Sequence, residues 1–469
     1  MISIIKIFYK SFFLILFTLS LMLIISGCST DSVSVRKNQA VEFNKDITKK
    51  TGEILSPDKV YDLESCINIA LDNNLDIRIA EINGRLSGLD RKIAFSYFLP
   101  QIDIGFTRTK SNKLQMRNIG GGSYVALADQ ETTVTVIQGQ MAVFYPEAWF
   151  IYSTYKKGED IQNLLTLRVK QTIKLQITAL YLSCLSLDSS TEAIKSTVEQ
   201  AKALSREIEA LYEEGLILKS DLEKARVFLL MQQNNLSEAE RQRTYARASL
   251  LEAMGLSPLS DITLGPPPAL SIEDKELQDM ILTAMLHRPE LMIADKNVEV
   301  KGDAIKRAIS AFLPRILLIG DYTNNWDSYL RYRDLFTYGV SGVMTILDGF
   351  SNIYEYKAAK QEQSRAMIER EQSCMKIILE VIEAKQSLDR ENDNRTLMEL
   401  DLDSSKSRMN EVMSLWQEGM VTSSDKLDAV TAYETSKANM TIADYRYQVA
   451  AATMADVMGI TGKEQKSGE

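Results

Sequence analysis

Apolar residues along 377–416 recur in steps of mainly four and three: Ile377, Val381, Ala384 and Leu388, then Met398, Leu402, Met409, Val412 and Trp416. That spacing keeps one face of a long helix apolar, as in a coiled-coil seam. Gly419 is the expected helix stop, because glycine takes the left-handed conformation without strain. Ser423, Ser424 and Asp425 then offer N-cap oxygens for a second helix through Leu427, Val430 and Tyr433. The stretch therefore predicts the tight turn of a long antiparallel helical hairpin. An equivalent stripe runs earlier, through Ile173, Ile177, Leu180, Cys184, Leu187, Ile194, Val198, Ala201 and Ile208. It leads to Glu214-Gly215-Leu216 and to Ser220-Asp221. Leu167, Leu175 and Leu182 add a second seam to this helix, which lets it pack on neighbours at both sides.

Elsewhere the period changes. Helices are predicted from Asp58 to Asn73 and from Leu75 to Phe98, the latter ended by Pro100. After Pro100 the pattern alternates: Ile102, Ile104 and Phe106 on one side, Gln101, Asp103, Gly105 and Thr107 on the other. Alternation returns, less regularly, around Val134, Val136 and Gln138, beyond a polar loop holding Gly120-Gly121-Gly122. Strands are predicted again over Arg315–Thr323 and Phe336–Ile346. Each is about 10 residues, enough to cross a bilayer when tilted, although a soluble half-buried hairpin looks similar locally.

The chain is an internal duplication. At an offset of 204, Glu214-Gly215 and Ser220-Asp221 match Glu418-Gly419 and Ser424-Asp425, and Met254-Gly255 matches Met458-Gly459. At an offset of 214, Phe98-Leu99-Pro100 pairs with Phe312-Leu313-Pro314, and Leu63–Asn74 with Leu277–Arg288. The reading divides the chain into a signal peptide (1–27), a tether (28–56), a first repeat (57–260), a linker (261–271), a second repeat (272–460) and a tail (461–469). The tether, polar and of mixed charge, is expected to be extended. In the first repeat the β-hairpin falls at about 100–146 and the helical tip near 215. In the second they fall at about 314–347 and near 419.

Four strands cannot close a barrel, and open sheet edges are not tolerated in lipid. Several copies must close it together, and three would supply twelve strands around an aqueous lumen. The helix over 147–214 would span on the order of 100 Å. Leu75–Phe98 and 220–254 could stack end to end beside it, making a wall of even height. The fold class expected is mostly α with a membrane β-barrel portion: a trimeric α-helical barrel of coiled-coil hairpins plus a 12-stranded β-barrel with four strands per chain. A solid bundle or a two-stranded coiled coil remains open on pattern alone.

Composition narrows the function. Residues 1–27 carry Lys6 and Lys10, an apolar core and no acidic residue, which makes them a secretory signal. Its end, Ile25-Ser26-Gly27-Cys28, resembles the lipobox of bacterial lipoproteins, with Cys28 acylated (palmitate) as the new N-terminus. Ser29 leans towards the outer membrane. Removing the signal leaves 52 basic against 63 acidic residues, a net charge of −11. That argues against nucleic acid and is compatible with passage of cations. Cys66, Cys184 and Cys374 are expected to be buried free thiols. His287 is the only histidine and no CxxC or phosphate-binding loop occurs, so neither an enzyme, a metal site nor a cofactor is expected. Asp425 and Asp428 stand one turn apart on one helix face. By themselves they read either as a cap and a solvated residue or as a functional pair.

The lipobox, the duplicated Phe-Leu-Pro strand entries and the duplicated Glu-Gly-x5-Asp tips together resemble the TolC-type outer membrane factors over about 57–460. The resemblance implies a homotrimeric channel-tunnel in the outer membrane of a Gram-negative bacterium, lipid-anchored at Cys28 and extending into the periplasm. It implies a periplasmic adaptor and an inner-membrane pump of RND, ABC or MFS type. Asp425 and Asp428 match the family's aspartate rings at the periplasmic constriction. Gly215, Leu216, Asp221, Gly419 and Met420 match its adaptor-docking tips. Trp416 stands where the best-known member has a gate tyrosine, and Val421 where it has an arginine, which puts a salt-bridge latch in doubt. The alternative from another class is a lipid-anchored coiled-coil envelope protein without a pore.

Overall fold

The computed structural model describes residues 32–56, 58–266, 275–418, 420–421 and 423–460. The signal peptide and Cys28 lie outside them, as do part of the linker, Gly419, Thr422 and the tail. In order the elements are α1 (Ser32–Ile54), β1 (Val60–Tyr61), α2 (Leu63–Asn73), α3 (Leu75–Phe95), β2 (Gln101–Lys110), β3 (Gln115–Asn118), β4 (Tyr124–Ala128) and β5 (Glu131–Phe144). Then follow α4 (Pro146–Glu213), α5 (Lys219–Ala253), β6 (Thr263–Leu264), α6 (Leu277–His287), α7 (Pro289–Ser310), β7 (Arg315–Asn325), β8 (Asp334–Val343), α8 (Ser351–Gln417) and α9 (Ser423–Val457). No described helix is long and apolar enough to cross a membrane.

The long helices lie side by side in one layer. Helix α4 packs against α3 and α5 on one side and against α7 and α9 on the other, and α8 lies beyond α7 and α9. Helices α4 and α8 run 68 and 67 residues unbroken, about 100 Å each. The shorter helices stack in pairs beside them, and the joints are built from duplicated residues. At one joint Asn74 caps α3, accepting from the backbone of Asp76 and Ile77, while its Nδ2 donates to the carbonyl of Ala253 at the end of α5 (2.8 Å). There Gly255 has φ +72°, and a Cβ on it would come within 2.3 Å of the Asn73 carbonyl oxygen. At the other joint Gly459, at φ +74°, would place a Cβ 2.9 Å from the His287 carbonyl carbon. Both turns close alike, with Leu256 N–H donating to Leu251 O and Ile460 N–H to Ala455 O.

The core lies at these joints. One cluster joins Cys66, Ile77, Ile177, Leu182, Leu250 and Met254. Its counterpart joins Met280, Ile377, Val381, Ala384 and Met454. Both draw on the sequence stripes, whose seam buries one face of each long helix. Burial pushes the Cys66 and Cys184 thiols up to about 12. Cys374 is only half-buried, at the rim of the second cluster and not inside it as expected.

The four longer strands form one antiparallel sheet of order β2-β5-β7-β8. Three differences from the sequence reading have physical causes. The expected extended tether is helical over Ser32–Ile54, and its last turn is held by the Thr51 hydroxyl accepting from Ser257 N–H (2.8 Å) and by buried Leu55. Helix α2 begins at Leu63 and not at Asp58, because Val60–Tyr61 pair in parallel with Thr263–Leu264 and Asp62 then caps the helix through Ser65 N–H. The Tyr181 hydroxyl seals that pair, donating to Gly265 O at 2.8 Å. The loop around Gly120-Gly121-Gly122 is a small hairpin, β3–β4, whose turn uses three consecutive positive-φ glycines.

Candidate channel mouth

The tip between α4 and α5 is a glycine-closed turn. Gly215 has φ +74°, its N–H donates to Tyr212 O, and Leu216 N–H donates to Leu211 O at 2.9 Å. Leu216 is 67% exposed, and Leu218 projects beside it. Asp221 lies in the first turn of α5 and pairs with Lys224 at 3.5 Å, while Leu222 is buried behind it. Arg226 ties the hairpin's two arms through Glu209 (2.8 Å).

The tip between α8 and α9 closes the same way, since Met420 N–H donates to Leu415 O at 2.9 Å. Met420 is 69% exposed. Asp425 and Asp428 are both exposed, in the first two turns of α9. With a spacing of three they share a helix face. The structure adds a residue that the sequence reading missed. The Lys426 ammonium sits 3.5 Å from the centroid of the Trp416 ring, bridging α8 and α9 across the turn. The signal was an aromatic residue before the turn with a lysine ten residues on, and only a folded hairpin brings them together. Trp416 thus has a cation partner even with Val421 at the arginine position. The two tips lie on neighbouring hairpins, pinned where the Thr431 hydroxyl donates to Gln200 Oε1 (2.6 Å). The Ser436 hydroxyl donates to Asp401 (2.6 Å) and ties α9 to α8.

Further up, ion pairs join the halves of the chain. Arg168 on α4 reaches Glu290 and Asp456 (both 2.8 Å), and buried Arg288 binds Glu290 and Glu380. Burial alone would raise the Glu290 carboxyl, yet its hydrogen bonds and the Arg288 and Arg168 charges hold it below the usual range. Asp303 behaves alike, with burial outweighed by Lys157 and Ser153. Because both folded values are lowered, this stabilisation is present above about pH 4 and is lost as the pH falls through the folded values. Among the described residues no cluster of metal-ligating side chains occurs.

Residues 280–460, covering α7, both second-half strands and the second helical hairpin, match the family described as outer membrane efflux protein. Over these residues the chain is similar to the outer membrane efflux proteins. The pyoverdine export outer membrane protein OpmQ of Pseudomonas putida is 20% identical over 279 residues, which span 58% of this chain and 58% of that protein. Among solved structures, a membrane protein from Pseudomonas aeruginosa superposes with a TM-score of 0.71 at 15% identity, covering 85% of this chain and 90% of that one. The Campylobacter jejuni CmeC outer membrane channel gives 0.70 at 15% identity, covering 85% of each. The fold shared with these two structures, with long antiparallel helices on a four-stranded sheet, extends over 85% of the chain.

Proposed function

We propose that this protein is the outer membrane channel of a tripartite efflux or type I secretion system, acting as a homotrimer whose helices extend into the periplasm. The observation that carries the reading is the pair of unsatisfied edges. Strands β2 and β8 end the four-stranded sheet without partners among the described residues. The helical layer ends in apolar faces, with Ile82, Leu86 and Leu89 exposed on α3 and Met375, Leu379 and Leu400 on α8. Copies of the chain joined edge to edge cover both at once. Three make a twelve-stranded barrel above a helical tunnel.

The strand register supports a bilayer setting. Ile104, Ile137, Tyr322 and Phe336 pair across the sheet in one row, and Ile102, Gly139, Gly320 and Tyr338 in another on the same face. The opposite face carries the row Asp103, Gln138, Asp321 and Thr337. An apolar outside and a polar lumen follow from that alternation. A pore-free coiled-coil scaffold offers no account of it. The mass of the detergent-solubilised protein tests the assembly. Three chains are expected, and a stable monomer would remove the proposal.

In the closed ring Asp425 and Asp428 become six carboxylates around the axis, with Trp416 beside them. The Lys426–Trp416 contact closes each hairpin and draws the lysine charge onto the indole. Cys28 carries the lipid that anchors the chain to the outer membrane. The grooves between tips, lined by Leu216, Asp221 and Met420, receive a periplasmic adaptor that links to an RND, ABC or MFS pump. A Cβ at Gly215 would meet no other described atom within 4 Å, so Gly215→Val strains only the turn, by about 1–2 kcal/mol. Cross-linking to the adaptor is expected to fall at least several-fold in this variant while the trimer persists. Loss of trimer in equal measure would assign Gly215 to folding.

A further inference from the structure

The β7–β8 connection is an exposed aromatic and basic loop that the channel reading leaves without a role. Trp326, Tyr329 and Tyr332 stand in solvent, and Trp326 and Tyr332 are 61% and 71% exposed. The Arg333 guanidinium lies 5.4 Å from the Trp326 ring centroid, and Arg331 lies 5.4 Å from that of Tyr332. Among the described residues neither arginine forms an ion pair. The neighbouring carboxylates are engaged by the loop itself. Asp327 is 4% exposed and accepts from the backbone N–H of Asp129 (3.2 Å) and Tyr329 (3.1 Å). Asp129 accepts from the Ser328 backbone and hydroxyl. Asp334, adjacent to Arg333, belongs to β8. The loop is thus fixed to the β4–β5 turn, with Arg333 near enough to Asp129 to help hold its carboxyl low but not paired with it.

Its height on the sheet is fixed by register. Asn325 N–H donates to Arg333 O and Trp326 N–H to Thr133 O, so pairing continues past the end of β7. This puts Trp326 in line with Thr133 and Arg108, one row beyond Phe106, Thr135 and Asn324, on the apolar face. At the opposite end of the same strands Trp149 packs on Phe144 and Arg315 lies over Tyr145. The eleven residues of β7 rise about 36 Å, or roughly 28 Å when tilted in a barrel. The two aromatic groups therefore stand one hydrocarbon thickness apart, where rings of this kind meet lipid head groups.

We propose that this loop is a docking surface for anionic phosphomonoester head groups of outer-leaflet lipid. Trp326 and Tyr332 seat at the interface, and Arg331 and Arg333 grip the phosphates. A guanidinium stacked on a ring keeps its N–H edge free, and its fork matches phosphate geometry. The braced backbone holds the pair in place before lipid arrives. The inference rests on the barrel reading above.

The test uses the full-length protein in mixed vesicles of phosphatidylcholine with and without bis-phosphorylated lipid A. Insertion is scored first, then retained lipid is counted by native mass spectrometry. Wild type is expected to retain lipid A in preference to phosphatidylcholine. Arg331→Gln with Arg333→Gln should lower lipid A retention about ten-fold and leave insertion and phosphatidylcholine unchanged. If wild type inserts but holds both lipids equally, or if the double variant holds lipid A like wild type, the docking surface is refuted while the barrel stands. If wild type inserts into neither vesicle, the barrel reading fails and takes this inference with it.

Discussion

Replacing Asp425 and Asp428 together by Ala is expected to abolish most of the channel's cation preference while leaving the trimer intact. Both side chains are exposed on one face of the first turns of α9, so their removal opens no cavity and breaks no core contact. Three copies would set six carboxylates around a narrow axis, where low-dielectric walls focus the field. The cation-over-anion permeability ratio should fall on the order of ten-fold. Trivalent cations, which satisfy several carboxylates at once, should block wild type from the periplasmic side and lose that effect in the variant. A variant that conducts and is blocked like wild type would make the two residues a cap and a surface charge, and Trp416 with Lys426 would be the next place to seek the constriction.

Gly255→Val should have the largest effect on assembly. Gly255 and Gly215 share nearly the same positive φ, +72° and +74°, and a β-branched residue costs about 1–2 kcal/mol at either. Only at Gly255 does the new side chain also meet backbone, the Asn73 carbonyl 2.3 Å from the ideal Cβ. That atom belongs to the α2–α3 corner and cannot swing aside as a side-chain end would. The joint must open, adding roughly 1–3 kcal/mol of overpacking and disturbing the buried Asn74–Ala253 bond. Trimer yield and thermal midpoint should therefore fall far more for Gly255→Val than for Gly215→Val. Equal losses at both glycines would mean that backbone strain alone sets the cost.

The sequence displayed the long helices because their stripes are dictated by burial. Ile173 and Ile177, and Ile377 and Val381, are core residues of the two clusters. The strands were legible by a different signal, the alternation of Ile102, Ile104 and Phe106 with polar residues, whose apolar side stays exposed in the single chain. What escaped was structure set by distant partners. Val60–Tyr61 become a strand only because Thr263–Leu264 come beside them. Helix α1 carries no strong apolar face, and its docking depends on Thr51 meeting Ser257 from 206 residues away. Asp425, Asp428 and Trp416 could be singled out from the sequence as candidates, whereas the Lys426–Trp416 contact needed the folded turn.

The central claim is that three copies close an ion-conducting barrel, and single-channel recording of the purified full-length protein in planar bilayers tests it most directly. The account predicts discrete, cation-selective steps that disappear when the trimer is dissociated. A homogeneous, folded protein that binds the bilayer without conducting would contradict it and favour a lipid-anchored scaffold.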